Sequence, residues 1–223
     1  MKAAMSSALA ETSALAEILK SRWPGLESAR SERLLRYYEL LVDESSRQNL
    51  TRLISPEDFY SGHCEDVRAL EKSGLIEFPA MDMGSGAGVP GLLAAVVFGG
   101  EWLLCDSEKM KAAFLQRVVD TLEMKGVRVE AKRAEDILKS ERVGSVTARA
   151  VGTVEKIHNW IRGCSTWNNL VLFKGPGWVE EWKNFLSSPR RNDLKLDRSH
   201  EYTVGADAKR RVLVRLIRKR SRN

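Results

Sequence analysis

The segment Asp82-Met83-Gly84-Ser85-Gly86-Ala87-Gly88-Val89-Pro90-Gly91 constrains this chain more than any other. It follows an apolar run that reads as a strand and opens a run that reads as a helix. Its glycines let the backbone turn sharply and come close to a ligand that a Cβ would exclude. Pro90 suits a first helical turn, where its missing N–H has no partner to lose. A glycine loop between a strand and a helix belongs to open α/β sheets, whose ligands bind beyond the carboxyl ends of the strands.

The remaining pattern agrees with such a sheet. Strands predicted at 78–83, 101–105, 127–131, 143–148 and 170–174 alternate with helices predicted at 91–98, 108–125, 134–140, 154–163 and 179–186. Apolar strands alternating with amphipathic helices specify βαβ units and a parallel sheet covered on both faces. Two further strands, 193–204 and 211–218, flank a turn at Gly205-Ala206-Asp207 and predict an antiparallel edge hairpin. In the second of them Val212, Val214 and Leu216 face one way, and Leu213, Arg215 and Ile217 the other. The first 75 residues read as helices at 6–22, 32–43 and from 55 to about 72. Trp23-Pro24-Gly25 ends the first, Ser31 is the cap expected for the second, and Ser55-Pro56-Glu57-Asp58 starts the third. The predicted class is α/β: a doubly wound, Rossmann-like, mostly parallel sheet over 76–223, preceded by a helical extension over 1–75, forming one compact unit.

Composition narrows the function classes. Of the 223 residues 43% are hydrophobic and 30% charged, enough apolar material for a buried core. The longest apolar runs fall short of the ~20 residues that a membrane span needs. Glu11 and Glu17 interrupt the N-terminal apolar stretch, which makes it an amphipathic helix rather than a secretory signal, so a cytoplasmic protein with no membrane partner is expected. Cys64, Cys105 and Cys164 show no metal-ligand spacing, so neither a metal nor a disulfide framework is expected, and Cys105 reads as a small buried hydrophobe. The net charge is +6, and Lys209, Arg210, Arg211, Arg215, Arg218, Lys219, Arg220 and Arg222 crowd one segment that holds no acid. Such a segment suits a polyanion or forms a solvated tail.

The loop spacing is ambiguous alone, since Gly86-x-Gly88-x-x-Gly91 also matches the dinucleotide fingerprint. Asp82, two residues before the first glycine, disfavours a pyrophosphate and favours a cationic ligand, for which S-adenosylmethionine supplies ammonium and sulfonium charges. Asp106 ends the second strand, where a carboxylate can accept both ribose hydroxyls. Arg133-Ala134-Glu135-Asp136 and Arg149-Ala150 follow the third and fourth strands and would flank an adenine and the reacting methyl group. Glu135 and Asp136 also read simply as first-turn acids of a short helix. Arg149 ends an apolar strand and calls for a partner: a ligand, a phosphate or Glu135.

Taken together, Asn49-Leu50-Thr51, His63 with Asp66, the glycine loop, Asp106-Ser107, Phe114-Leu115, Arg133 with Glu135, Arg149-Ala150 and Lys174-Gly175 resemble one family. It is the bacterial small-subunit ribosomal RNA methyltransferase G family, also called glucose-inhibited division protein B, of class I S-adenosylmethionine-dependent enzymes. The resemblance spans roughly 36–218. It implies methylation of N7 of guanine 527 of 16S rRNA, in the decoding region of the small ribosomal subunit near the streptomycin site. It carries cofactor contacts onto Gly84, Val89, Ala134, Glu135 and Arg149; Asp82, Asp106 and the loop glycines Gly86 and Gly88 complete the expected set. The chain departs from the family pattern at Glu44-Ser45, Val67, Gly144 and Phe173.

Guanine N7 carries an in-plane lone pair, so no catalytic acid or base is expected, and Arg149 is assigned to positioning the methionine end or the target nucleotide. Lys109, Lys111, Lys174, Arg210 and Arg211 are the expected RNA contacts. His63 joins them, although a histidine on an amphipathic helix reads more simply as structural, with Asp66 one turn on as its partner. A monomer is expected. The competing readings are an RNA-binding or assembly factor without activity on the same fold, and a nicotinamide-dependent oxidoreductase.

Overall fold

The computed structural model describes residues 2–219, with side chains from Leu9 onward. Arg220 and Arg222 of the basic segment lie outside the described residues. Seven strands form one sheet: β1 (Ala80–Met83), β2 (Trp102–Cys105), β3 (Val127–Glu130), β4 (Val143–Arg149), β5 (Trp167–Lys174), β6 (Leu194–Val204) and β7 (Lys209–Arg218). Their order is β3-β2-β1-β4-β5-β7-β6, with β1 to β5 parallel and β7 antiparallel to both neighbours. The chain therefore runs first to the outer edge as β6 and returns through the Gly205 turn to place β7 against β5. The sheet direction switches at β1, which pairs with β2 on one side and β4 on the other. That switch is where an open α/β sheet leaves a crevice.

Strands β1 and β2 are buried on both faces, which is why β2 reads as a continuous apolar run and β1 as one broken only by the buried Asp82. Strand β5 begins at Trp167, three residues before the predicted start. Asn168 and Asn169 disguise it: Asn169 is buried and accepts a hydrogen bond from Ser145 Oγ at 2.8 Å.

Helices α1 (Lys2–Arg22) and α2 (Ser28–Ser45) precede a run of α3 (Pro56–Phe59), a π-helical turn at Tyr60–Cys64 and α4 (Glu65–Ser73). Ser55 caps α3, its Oγ accepting from Asp58 N–H at 3.2 Å as the sequence predicts. Ser31 does not cap α2, because helical bonding already begins at Glu27, whose carbonyl accepts from Arg30 and Ser31 N–H. Helices α5 (Gly91–Phe98) and α6 (Lys109–Thr121) lie with α1 to α4 on one face of the sheet. There Leu15, Leu34, Tyr37, Phe59, Leu92 and Phe114 belong to a single core, so the N-terminal helices pack directly onto the sheet unit. Helices α7 (Ala134–Ile137), α8 (Val154–Ile161) and α9 (Trp178–Ser187) cover the other face. Strand β7 divides between the faces as its alternation predicts, Leu213 joining the first core and Val212, Val214 and Leu216 the second.

Candidate functional site

The glycine loop leaves β1 at the carboxyl edge of the sheet and divides into two jobs. Gly84 (φ +68°) and Gly86 (φ +54°) hold left-handed backbone that L side chains adopt with strain. A Cβ on Gly84 would come within 3.1 Å of a Val151 methyl, so the missing side chain keeps the crevice open. Farther along, a Cβ on Gly88 would meet Leu92 at 2.9 Å, and one on Gly91 would meet Asp82 Cβ at 2.5 Å. Gly91 lets α5 lie against β1 and β2, and Gly88 leaves room for Leu92 of α5 and Leu115 of α6. Val89 is likewise buried in the core. The Cβ direction of Gly88 and the side chain of Val89, two residues expected to touch the cofactor, are thus turned into the packing beneath the loop, which leaves only their backbone for a ligand.

The crevice has a volume of about 80 Å³ and is lined by Gly84, Asp106, Ser107, Ala134, Glu135, Val151 and Trp160. Asp106 Oδ2 accepts from Gly86 N–H and Oδ1 from Glu108 N–H, both at 2.9 Å. Each carboxylate oxygen keeps a further lone pair for a ligand hydroxyl. Asp82, read from sequence as the group that selects a cation, faces inward. Its Oδ2 accepts from Gly91 N–H at 3.0 Å and its Oδ1 from Thr147 Oγ1 at 2.9 Å. Burial pushes its pKa up to about 6, against the hydrogen bonds from Gly91 and Thr147 that favour the charged form. Asp82 therefore fastens the start of α5 to β1 and β4, and acts on a ligand only through the loop. Val151 and Trp160 escaped the sequence reading. The signal for Trp160 was its place off the stripe of Val154, Ile157, His158 and Ile161 that α8 buries; Lys156 Nζ sits over its ring at 5.2 Å.

Arg149, at the end of β4, turns away from this crevice. Its Nη1 donates to Gly62 O at 2.5 Å and to Asp66 Oδ2 at 2.7 Å, and its Nη2 lies 2.8 Å from His63 Nδ1. The same Nδ1 lies 2.9 Å from Gly62 O, and Nε2 lies 3.3 Å from Thr51 Oγ1. Because a guanidinium only donates, the Arg149 contact requires Nδ1 to accept, and Gly62 O is then served by Arg149 Nη1 rather than by the ring. Burial and the Arg149 charge lower the His63 pKa to about 3, which keeps the ring neutral. Arg211 Nη1 donates to both Asp66 oxygens at 2.6 Å, and Tyr202 Oη donates to Oδ1 at 2.7 Å. Asp66 is the buried hub of this cluster. The partner that Arg149 required is therefore Asp66, not Glu135, and Asp66 pairs with the two arginines rather than with His63.

The expected RNA contacts separate on the same evidence. His63 is 1% exposed and out of reach of a macromolecule. Lys174 Nζ donates to Gly152 O at 3.0 Å and Glu181 Oε1 at 2.7 Å, a half-buried tie between β5 and α9. Arg211 is spent on Asp66. Lys109 and Arg210 are exposed, Arg210 facing Glu201 loosely at 3.5 Å, and Lys111 pairs with Glu108 at 2.7 Å. Among the described residues no group of three or more His, Cys, Asp or Glu side chains is placed to hold a metal, and no helix is long and apolar enough to cross a membrane. Cys105 is buried as expected, its thiol pushed up to about 12 mainly by burial.

A seven-stranded sheet in this order, with a glycine loop after β1 and a carboxylate ending β2, defines a class I methyltransferase. Two solved structures share the fold. A mutant of MtNAS in complex with S-adenosylmethionine is 13% identical, covering 86% of this chain and 77% of that one with a TM-score of 0.57. The delta-N METTL16 MTase domain is 14% identical, covering 81% and 96% with a TM-score of 0.54. The model of the family GidB, rRNA small subunit methyltransferase G, matches residues 30–205. Ribosomal RNA small subunit methyltransferase G of Carboxydothermus hydrogenoformans is 32% identical over 196 residues, which are 85% of this chain and 83% of the relative. The chain belongs to the rRNA small subunit methyltransferase G family. It is accordingly an S-adenosylmethionine-dependent rRNA methyltransferase.

Proposed function

We propose that the chain methylates N7 of guanine 527 in 16S rRNA of the small ribosomal subunit, acting as a cytoplasmic monomer. The observation that carries the reading is the crevice between Gly84, Asp106 and Glu135, which offers open backbone and carboxylate acceptors at the sheet's switch point. These residues fit the cofactor: a Cβ would fill the cradle at Gly84, and Asp106 retains acceptor capacity for ribose hydroxyls. Ala134 and Glu135 would flank the adenine, with Val151 and Trp160 as walls.

Bound there, S-adenosylmethionine supplies an electrophilic methyl group on a sulfonium. Guanine N7 has an in-plane lone pair to receive that methyl and no proton to lose, so no residue of the chain would have to act as a base. The protein's part is to hold nucleophile, carbon and sulfur in line and to exclude water. The side chains at the end of β4 suit that limited task. His63 is buried and neutral, and Arg149 is held by three acceptors, so neither is free to act as a general base.

The test is transfer of labelled methyl from S-adenosylmethionine to small subunits from cells lacking the enzyme, beside protein-free 16S rRNA, with the product mapped by cleavage at 7-methylguanosine. Label at one guanine N7, position 527, is expected. Cofactor binding without incorporation into either RNA would instead identify an assembly factor on a methyltransferase fold.

A further inference from the structure

A second cavity, about 390 Å³, opens between the turn after β5 and the β6–β7 hairpin. Nothing in the cofactor chemistry uses it. Gly175, Pro176 and Val179 line one side; Tyr202, Arg210 and Val212 line the other. Val212 pairs with Lys174, the last residue of β5, so the start of the antiparallel β7 lies at the carboxyl edge of the parallel strands. The cavity therefore opens on the same edge as the cofactor crevice.

Its chemistry suits a nucleotide. Trp178, stacked on Trp182 with ring centroids 5.5 Å apart, and the exposed Val179 give it an apolar wall. Arg210 stands in solvent at its rim, 3.5 Å from Glu201, the one carboxylate among the lining residues, in a loose exposed pair that a phosphate can displace. Beneath it, one carboxylate, Asp66, faces two guanidinium groups, Arg149 and Arg211, and His63 is neutral, so the floor carries surplus positive charge. An apolar wall beside guanidinium groups that outnumber their carboxylates suits a nucleotide of single-stranded RNA. Position then decides which nucleotide. Neighbouring strands lie about 4.8 Å apart, so β7 stands about 10 Å from β4 and about 14 Å from β1. A base in this cavity is too far from the crevice to be the one methylated.

The geometry points to a docking subsite for a nucleotide flanking the methylated guanine, with its base against Val179 and Trp178 and its phosphate at Arg210. This rests on the RNA substrate proposed above. Through Tyr202 and Arg211 the subsite touches Asp66, and through Asp66 it touches Arg149, two residues before Val151 of the crevice wall.

The test compares Val179→Trp, which fills the cavity from an exposed helix position, and Arg210→Glu with Arg142→Glu, which reverses charge in a cavity at the opposite edge of the sheet. Binding to protein-free 16S rRNA, KM for small subunits and S-adenosylmethionine affinity are measured for each. Val179→Trp and Arg210→Glu are expected to weaken RNA binding about tenfold and raise KM for subunits by a similar factor, with cofactor affinity unchanged; Arg142→Glu changes none of these. Equal losses from Arg142→Glu would reduce the effect to overall charge and overturn the subsite. No wild-type affinity for the protein-free RNA, or losses confined to assembled subunits, would assign the cavity to a protein partner and overturn it equally. Failure of wild-type enzyme to methylate any guanine N7 would strike the proposed reaction instead, and shows separately in the untreated control.

Discussion

On one side of the sheet's switch point, the crevice proposed for the cofactor is made mostly by backbone and by neighbours in sequence. Gly84 and Gly86 come from a single loop, and Asp106 meets Gly86 directly across one strand. On the other side, the Asp66 cluster gathers Thr51, His63, Arg149, Tyr202 and Arg211 from the N-terminal connector, the π-helical turn, β4 and both hairpin strands. The first region can lose its ligand without losing the fold. The second holds the N-terminal helices, β4 and the hairpin together through one buried carboxylate, so damage there reaches the whole molecule.

Asp66→Ala should break the comparison most severely. It strands two guanidinium groups that share one anion, and removing one partner of a buried pair costs about 3–5 kcal/mol. A urea midpoint shift of matching size checks this; a midpoint unchanged from wild type would show the cluster to be ornamental. Gly84→Asp should do the reverse. Its side chain enters the crevice beside Val151, and S-adenosylmethionine affinity is expected to fall at least ~100-fold, or about 2.7 kcal/mol, in a titration. Its circular dichroism stays that of a folded chain, while the left-handed backbone at position 84 lowers the stability read from the unfolding midpoint by about 1–2 kcal/mol, short of the Asp66→Ala loss.

The pH dependence sharpens the contrast. His63 has its pKa lowered from 6.5 to about 3 in the folded chain, so below pH 6.5 the unfolded state binds a proton that the folded state refuses. That contribution is intact above pH 6.5 and is lost as pH falls, by about 2 kcal/mol at pH 5. Asp82 works in the opposite sense: with a folded pKa of about 6 against 3.8, it adds stability as pH drops, by about 1 kcal/mol at pH 5. In His63→Asn only the Asp82 part remains of these two. The stability difference between wild type and variant, taken from urea unfolding at pH 7 and pH 5, should therefore shift by about 2 kcal/mol in the variant's favour at the lower pH. A constant difference would mean that His63 titrates normally. The smallest effect belongs to Lys111→Ala, whose ion pair with Glu108 is solvent-facing; a change within about 0.5 kcal/mol in the unfolding midpoint is expected.

The same division explains what the sequence could show. The strand-loop-helix context of Gly84, the acid at Asp106 and the alternation of β7 are local patterns, and all could be read from spacing. Asp82 was located correctly but given the wrong direction, because spacing does not say which way a carboxylate points at the end of a short strand. Lys174 looked like an RNA contact because it ends a strand beside glycines. The turn at Gly175-Pro176-Gly177 folds α9 back so that Glu181 meets it. Arg149 plainly needed a partner, yet Asp66 lies 83 residues earlier on α4, and no periodicity connects a strand end to that helix. The π-helical turn that presents Gly62 O and His63 to Arg149 has no distinctive sequence mark either.

Amide hydrogen exchange of the wild-type chain with and without S-adenosylmethionine tests the central assignment most directly. New protection is expected at Gly84 to Gly86, Ser107, Ala134, Glu135 and Val151, and none at Gly175 to Val179 or along the β6–β7 hairpin. Protection centred on the hairpin, with the loop after β1 unchanged, would contradict it and move the cofactor to the other side of the sheet.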